Sequence, residues 1–436
     1  MKYQTICICI CILFSVHCVA QTQDSQYKKR VLETAEIDFL SSYYTQDGDN
    51  AAVSGGIGTE ELTDATATVV ISIPLNADDV LTIDAGISAY TSASSSNVDP
   101  FDGSGVANAF VASSGASGAD VWSNITGVYS HSSDDRNTLW SGKVSISAEY
   151  DYFSFGVGGS FTKLFNEKNT ELSISANAYL DSWSIISPAE LRAPGSGDDD
   201  DDFDINNFTI TGNTNYAPNF VALPTDKRNS YSLGFGFSQI LSKKLQGSLA
   251  LDFVSQNGLL STPFQRVYFS DIEDSFIEDF HLAEDIERLP DTRFKVAVGG
   301  RLNYYINEVV TVRSFYRYYF DDWGITSHTA SIEIPIKLGD KFTIYPSYRY
   351  YQQTAADYFQ PYNQHLSTAQ FYTSDFDLST YSSNQFGFGI SYTDILTKLK
   401  LWKIGLKSID LKVYQYDRDT SFSSTIITTG FKFNLD

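Results

Sequence analysis

Past its twentieth residue this chain has no cysteine at all; Cys7, Cys9, Cys11 and Cys18 crowd into the opening segment. The remainder therefore relies on no disulfide and can perform no thiol chemistry. After Ala20 there is also no apolar run approaching the length of a transmembrane helix. If the chain enters a membrane it must do so as a closed sheet, because only helices and barrels satisfy every backbone group in lipid. Positive charge is scarce as well: 30 Lys and Arg face 53 Asp and Glu, a formal charge of −23. Such acidity argues against a nucleic-acid partner.

Enzyme signatures are also missing. No G-x-S-x-G elbow occurs, since Ser114-Gly115-Ala116-Ser117-Gly118 has the wrong spacing. His131, His281, His328 and His365 stand apart, without an H-x-x-x-H pair, so their spacing indicates no transition-metal site. The glycine doublets Gly234-Phe235-Gly236 and Gly387-Phe388-Gly389 lack the strand–turn–helix setting of a phosphate cradle and read as interior positions of strands.

What is present begins with an export signal at 1–20. Lys2 supplies a positive start, Ile6 to Phe14 an apolar stretch, and Cys18-Val19-Ala20 a small-x-small cleavage site before Gln21. His17 stands where a lipoprotein signal prefers a small residue, so ordinary cleavage is expected rather than lipidation of Cys18. Cleavage leaves a barrel domain at 21–436 with 29 basic and 53 acidic residues, a formal charge of −24.

A two-residue rhythm then recurs along the chain. In 326–338, Ala330, Ile332, Ile334, Ile336 and Leu338 share one parity, while Ser327, Thr329, Ser331, Glu333 and Lys337 share the other. Successive side chains of a strand point to opposite faces, so each such segment has one apolar and one wet face. The pattern predicts strands at 33–45, 60–75, 80–91, 119–131, 138–150, 152–164, 170–183, 229–240, 245–257, 291–306, 309–320, 325–338, 342–352, 381–394, 405–418 and 421–435. The fold class is thus all-β: a single antiparallel transmembrane β-barrel of sixteen strands, or fourteen if 138–164 and 395–418 divide differently. An even count places both termini on one side, with short periplasmic turns and long extracellular loops. The end of the chain, Thr428 to Leu435, resembles the sorting signal of outer-membrane barrels, displaced by one residue by Asp436. Aromatic residues make up 14% of the chain, which suits girdles at two membrane interfaces.

An Arg or Lys facing lipid near the midplane costs about 2–4 kcal/mol. Arg293, Lys295, Arg301, Arg313, Arg317, Lys337 and Arg349 all fall on the wet parity, so they are expected to line the lumen. The earlier strands direct carboxylates to the same interior: Glu36, Asp38, Asp84, Glu149, Glu171, Asp181 and Asp252, with Lys143 as an exception. One reading is a basic wall facing a more acidic wall, as at a porin constriction. The other is an internal salt-bridge network that fills and stiffens the barrel. No cofactor is expected. Ca²⁺ could be held at the acidic loops Asp47-Gly48-Asp49-Asn50 or Asp198–Asp202, although neither has EF-hand spacing and solvated loop charge is the plainer account.

Several stretches carry a resemblance. They are Ser42-Tyr43-Tyr44-Thr45-Gln46-Asp47-Gly48-Asp49-Asn50, Gly55-Gly56-Ile57-Gly58-Thr59-Glu60-Glu61-Leu62, Tyr90-Thr91-Ser92-Ala93-Ser94-Ser95, Tyr129-Ser130-His131 with Asp135-Arg136-Asn137-Thr138, and Glu149-Tyr150-Asp151-Tyr152. The chain resembles an uncharacterised, domain-of-unknown-function family of outer-membrane β-barrel proteins common in Bacteroidota. The resemblance implies a barrel of unassigned activity, encoded near flavin-attaching enzymes and thioredoxin-like lipoproteins; it implies no functional residues.

The expectation is a monomeric barrel in the cell outer membrane, in contact with its lipid and with the barrel-assembly machinery, that is not an enzyme but a passive or gated conduit. A second reading is a non-conducting scaffold for periplasmic redox, flavin-handling or lipoprotein partners. A third is a membrane-embedded Ser/His hydrolase, since spatial neighbours need not be sequence neighbours.

Overall fold

A computed structural model describes residues 29–91, 119–185, 187–191, 205, 208–277, 280–394 and 399–435. The export signal, the 92–118 loop and Asp198–Asp202 lie outside the described residues.

Alternating residues close into a ring of sixteen antiparallel strands. In chain order they are β1 (Ala35–Gly48), β2 (Leu62–Pro74), β3 (Asp79–Thr91), β4 (Ala119–Ser132), β5 (Thr138–Ala148), β6 (Tyr152–Phe165), β7 (Thr170–Trp183) and β8 (Lys227–Ser242). They continue as β9 (Leu245–Gly258), β10 (Thr292–Tyr305), β11 (Thr311–Asp321), β12 (Thr326–Glu333, resuming at Ile336–Leu338), β13 (Phe342–Gln353), β14 (Tyr381–Thr393), β15 (Ile404–Arg418) and β16 (Phe422–Leu435). Each strand pairs with its sequence neighbours, and β1 pairs with β16 from Ala35 opposite Leu435 to Gly48 opposite Phe422, so the ring has no free edge. No described helix is long and apolar enough to cross a membrane.

The sixteen expected strands are found, with ends shifted by three residues at most. Two differences have local causes. The strand expected at 325–338 is interrupted at Ile334 and Pro335, because proline has no amide hydrogen to donate to a ladder. β5 stops at Ala148, which places Glu149 in the tight turn before β6 instead of on a strand.

Exposure separates the two faces of the ring. Outward residues are large and apolar around the whole circumference, for example Ile87, Val144, Leu172, Phe235, Leu249, Val298 and Phe388, and Leu249 is 61% exposed to the surroundings. Water would penalise such a surface at about 25 cal/mol per Å², so a closed ring wearing it belongs in lipid. Trp140, Phe165, Tyr304, Phe342 and Trp402 add an aromatic girdle near the rim that carries both termini.

A small hydrophobic cluster, Tyr44, Leu62 and Ile426 with Tyr414 against it, sits on the inner faces of the strands, but the most completely buried core does not. That core lies at the opposite rim, where segments from 49–61, 187–191, 208–226, 259–291 and 354–380 pack into a lid. Val267, Phe269, Leu282, Ala283 and Ile286 are fully buried there. Two small sheets order the lid: Arg266–Val267 with Asp285–Ile286, and Ser275–Ile277 between Phe280–His281 and Ile210–Gly212. Gly258 begins it at φ 106°, and a Cβ there would lie 2.1 Å from the Lys227 carbonyl oxygen, so only glycine lets β9 turn into the lid.

Candidate functional site: a basic chamber beneath the lid

Between the lid and the arc that runs from the end of β7 through β16 to β1 lies a chamber of about 1140 Å³. Leu259, Leu260, Glu287, Leu289, Asp375 and Asp377 of the lid form part of its lining. Nine cationic side chains and six carboxylates line it, an excess of three positive charges in a strongly acidic chain.

Strand alternation sets this charge. On β10 the odd residues Arg293, Lys295 and Arg301 line the chamber, while Phe294, Val298 and Leu302 face out. Arg313 and Arg317 of β11 and Arg349 of β13 line it from their own inward parities. Lys337 keeps the inward parity, opposite Thr343, but stands exposed at the terminal rim away from the chamber lining.

Ion pairs consume part of the positive charge. Arg293 meets Asp321 at 2.5 Å and lies 4.2 Å from the centre of the Trp323 ring. Arg313 pairs with its cross-strand partner Glu333 at 2.8 Å. Arg418, absent from the expected wall, pairs with Asp377 of the lid at 2.5 Å and packs on the rings of Phe422 and Tyr381. Lys295 sits directly opposite Asp321 yet forms no ion pair with it. That carboxylate is already saturated by Arg293, the Tyr319 hydroxyl at 2.7 Å and the amides of Trp323 and Ile325. Among the described residues Lys295, Arg301 and Arg349 have no carboxylate within 4.0 Å. Arg301 instead lies over the Phe315 ring.

The roof adds little compensating charge. Burial pushes the Glu287 carboxyl up to about 7 despite hydrogen bonds from the Thr373 hydroxyl and the Thr262 amide. Burial, with Asp377 and Glu287 nearby, raises Asp375 well above the carboxylate range.

Of the carboxylates expected inside, only Asp252 lines this chamber. Asp181 is held by Arg228, its cross-strand partner, at 2.9 Å. Glu36 pairs with Lys407 at 2.6 Å and with Lys432 at 2.9 Å, and Asp38 faces Lys432 at 3.4 Å. Lys407 reaches Glu36 at a register shift in β15, since a bulge re-aims a side chain. Asp84 and Glu171 keep the inward parity of β3 and β7 outside the chamber lining. Glu149 sits at the lid rim, where burial beside Asp151 pushes its carboxyl up to about 7. The geometry thus holds both arrangements weighed from the sequence: an internal salt-bridge network at Arg293, Arg313 and Glu36, and unpaired cations at Lys295, Arg301 and Arg349.

The Gly387 doublet has the structural role expected of it: a Cβ there would come within 2.6 Å of the Tyr414 ring on the neighbouring strand. Of the loop suggested for Ca²⁺, Asp47 and Gly48 belong to β1, and Asn50 donates its amide to Glu60 and its side chain to the Thr420 carbonyl. Carboxylate-rich clusters form elsewhere instead, at Asp120, Glu149 and Asp151 and at Asp274, His281 and Glu284. The second includes a histidine whose sequence spacing gave no sign of it.

A family model described as a protein of unknown function, DUF3570, matches residues 4–417. No curated protein matches the chain. Among solved structures it is similar to a bacterial polysaccharide outer membrane secretin at 11% identity, over 92% of this chain and 99% of that one, with a TM-score of 0.46. It is also similar to a FadL homologue of Pseudomonas aeruginosa (9% identity, 93% and 91% covered, TM-score 0.39). OpdK of Pseudomonas aeruginosa, with vanillate, is a third (8% identity, 91% and 98% covered, TM-score 0.35). Likeness at this level carries no argument about cargo.

Proposed function

From the premise that this chain belongs to the DUF3570 family, to which no activity is attached, we propose a gated outer-membrane conduit for small anionic solutes. The observation that carries the reading is the trio Lys295, Arg301 and Arg349, inward-facing and without ion-pair partners among the described residues. Bringing fixed charges into a barrel without compensation is costly, and a merely structural network would pair them. At about 8 Å and an effective dielectric constant near 20, each of the Arg301 and Arg349 guanidiniums attracts a monovalent anion by about 2 kcal/mol. In this reading both termini and the short turns face the periplasm, and the lid is the gate on the outer side. Small carboxylates and phosphates are the matching solute class.

The packed lid favours a second reading, a plugged barrel that serves as a scaffold for periplasmic lipoprotein or redox partners. Conductance in planar bilayers separates the two. A conduit gives lid-dependent currents selective for chloride over potassium, and substituting Lys295, Arg301 and Arg349 together by glutamine reduces that selectivity. A barrel that stays silent even with 263–286 deleted supports the scaffold.

A further inference from the structure

The lid contains a side-chain constellation that the conduit reading does not use. His281 is held between two aromatic rings, Tyr268 at 4.3 Å and Phe276 at 4.8 Å, both nearly parallel to the imidazole. Its side chain is 9% exposed. One ring nitrogen, Nδ1, lies 2.5 Å from the Tyr362 hydroxyl. The other, Nε2, is buried and has no hydrogen-bond partner. It points at two carboxylates, with Asp274 Oδ1 at 3.6 Å and Glu284 Oε1 at 3.8 Å. Both distances are too long for a hydrogen bond, and leaving a buried ring nitrogen unsatisfied costs free energy.

We infer that Asp274, His281 and Glu284 form a site for a first-row divalent metal cation, of which Zn²⁺ is the natural probe. Bond lengths of about 2.0–2.2 Å to nitrogen and oxygen put neighbouring ligands of a tetrahedral ion about 3.4 Å apart. The imidazole-to-carboxylate gaps are close to that spacing, and all three ligand atoms lie within 4.8 Å of one another. An imidazole in the set favours such ions over Ca²⁺ and Mg²⁺, which prefer all-oxygen shells. The supporting contacts are in place. With Nε2 on the metal, Nδ1 carries the proton and donates it to the Tyr362 oxygen, fixing the ring. Glu284 turns its other oxygen, Oε2, to the Phe269 amide at 3.2 Å, leaving Oε1 for the ion. Asp274 is 38% exposed, which gives the ion a path from solvent and leaves the fourth position to water. A bound ion would tie the hairpin that carries His281 to the strand beside Glu284 and, through Tyr362, to the 354–380 segment.

The test uses the full chain in detergent, stripped with a chelator and titrated with ZnCl₂ by calorimetry. One equivalent should bind, with an X-ray absorption edge reporting one nitrogen and two or more oxygen ligands from the protein and water. His281→Gln should abolish that equivalent, Asp274→Asn should weaken it at least tenfold, and Tyr362→Phe should weaken it about tenfold. His328→Gln, on the outward face of β12, should leave it unchanged. Asp274 is partly exposed, so its variant keeps the test decisive if His281→Gln fails to fold. No binding by the wild type, or an equivalent that survives both His281→Gln and Asp274→Asn, overturns the inference. Neither result bears on ion selectivity in bilayers.

Discussion

Arg266→Met should open the lid without unfolding the barrel. Arg266 donates to both oxygens of Glu190, at 2.6 and 3.3 Å, and to the Val53 carbonyl at 3.1 Å. It therefore fastens three loops at one point, beside the cluster of Leu191, Tyr268, Ala283 and Ile286. The Glu190 side chain is only 3% exposed, so the variant leaves it buried without its cation. Breaking a buried pair by removing one partner costs about 3–5 kcal/mol. Proton uptake limits the damage: a glutamate of ordinary acidity takes a proton at pH 7 for about 3.7 kcal/mol, and at pH 5 for about 1 kcal/mol. The lid should thus be displaced at neutral pH and largely restored at pH 5. Hydrogen exchange over 263–291 is the assay, with β1–β16 pairing as the internal reference. Faster exchange confined to the lid at pH 7, and recovered at pH 5, is expected. Wild-type protection in the lid at pH 7 would refute the idea that this pair holds it shut.

Four other outcomes are expected. Leu249→Arg, on the lipid face of β9, should lose about 2–4 kcal/mol of stability in denaturant titrations in lipid, whereas Lys295→Met, on the inner face, should not. Gly258→Ala should destabilise the lid by about 1–3 kcal/mol in exchange measurements, because its φ of 106° and the Lys227 carbonyl leave no room for a Cβ. Glu287 and Asp375 have folded-state pKa values raised by burial, so the folded lid binds more protons than the open one and loses stability as pH rises. For Glu287 that loss runs from about pH 4.3 to about 7, so wild-type lid protection should fall between pH 5 and pH 7.5, and Glu287→Gln should flatten the slope. Arg313→Gln should change selectivity less than Lys295→Gln, since Glu333 already neutralises Arg313; bilayer reversal potentials check this.

The barrel was legible in the sequence because period-two alternation runs for eleven to sixteen residues in most strands, and burial in lipid fixes which parity faces out. The inward parity of Arg293, Lys295, Arg301, Arg313, Arg317 and Arg349 followed from the same rule. Their pairing did not, because each ion-pair partner sits on a neighbouring strand or in the lid, as with Arg293 and Asp321 or Arg418 and Asp377. The lid itself was hidden. Segment 258–290 reads as an acidic loop, since strands of two or three residues such as Arg266–Val267 and Asp285–Ile286 are too short to show a period. Gly55 and Gly56 were visible as a motif, but their reason appears only in the fold, where both take positive φ against Tyr268 and Ser374 of the lid. His281 gave no signal because its companions are seven residues before it and three after, a spacing that marks no regular element.

The account rests on a chamber that carries more positive than negative charge within an acidic protein. Reversal potential in a planar bilayer with a tenfold KCl gradient, using lid-deleted protein, measures this most directly. Chloride preference that falls when Lys295, Arg301 and Arg349 are neutralised is the predicted result; potassium preference, or a preference unmoved by those substitutions, contradicts it.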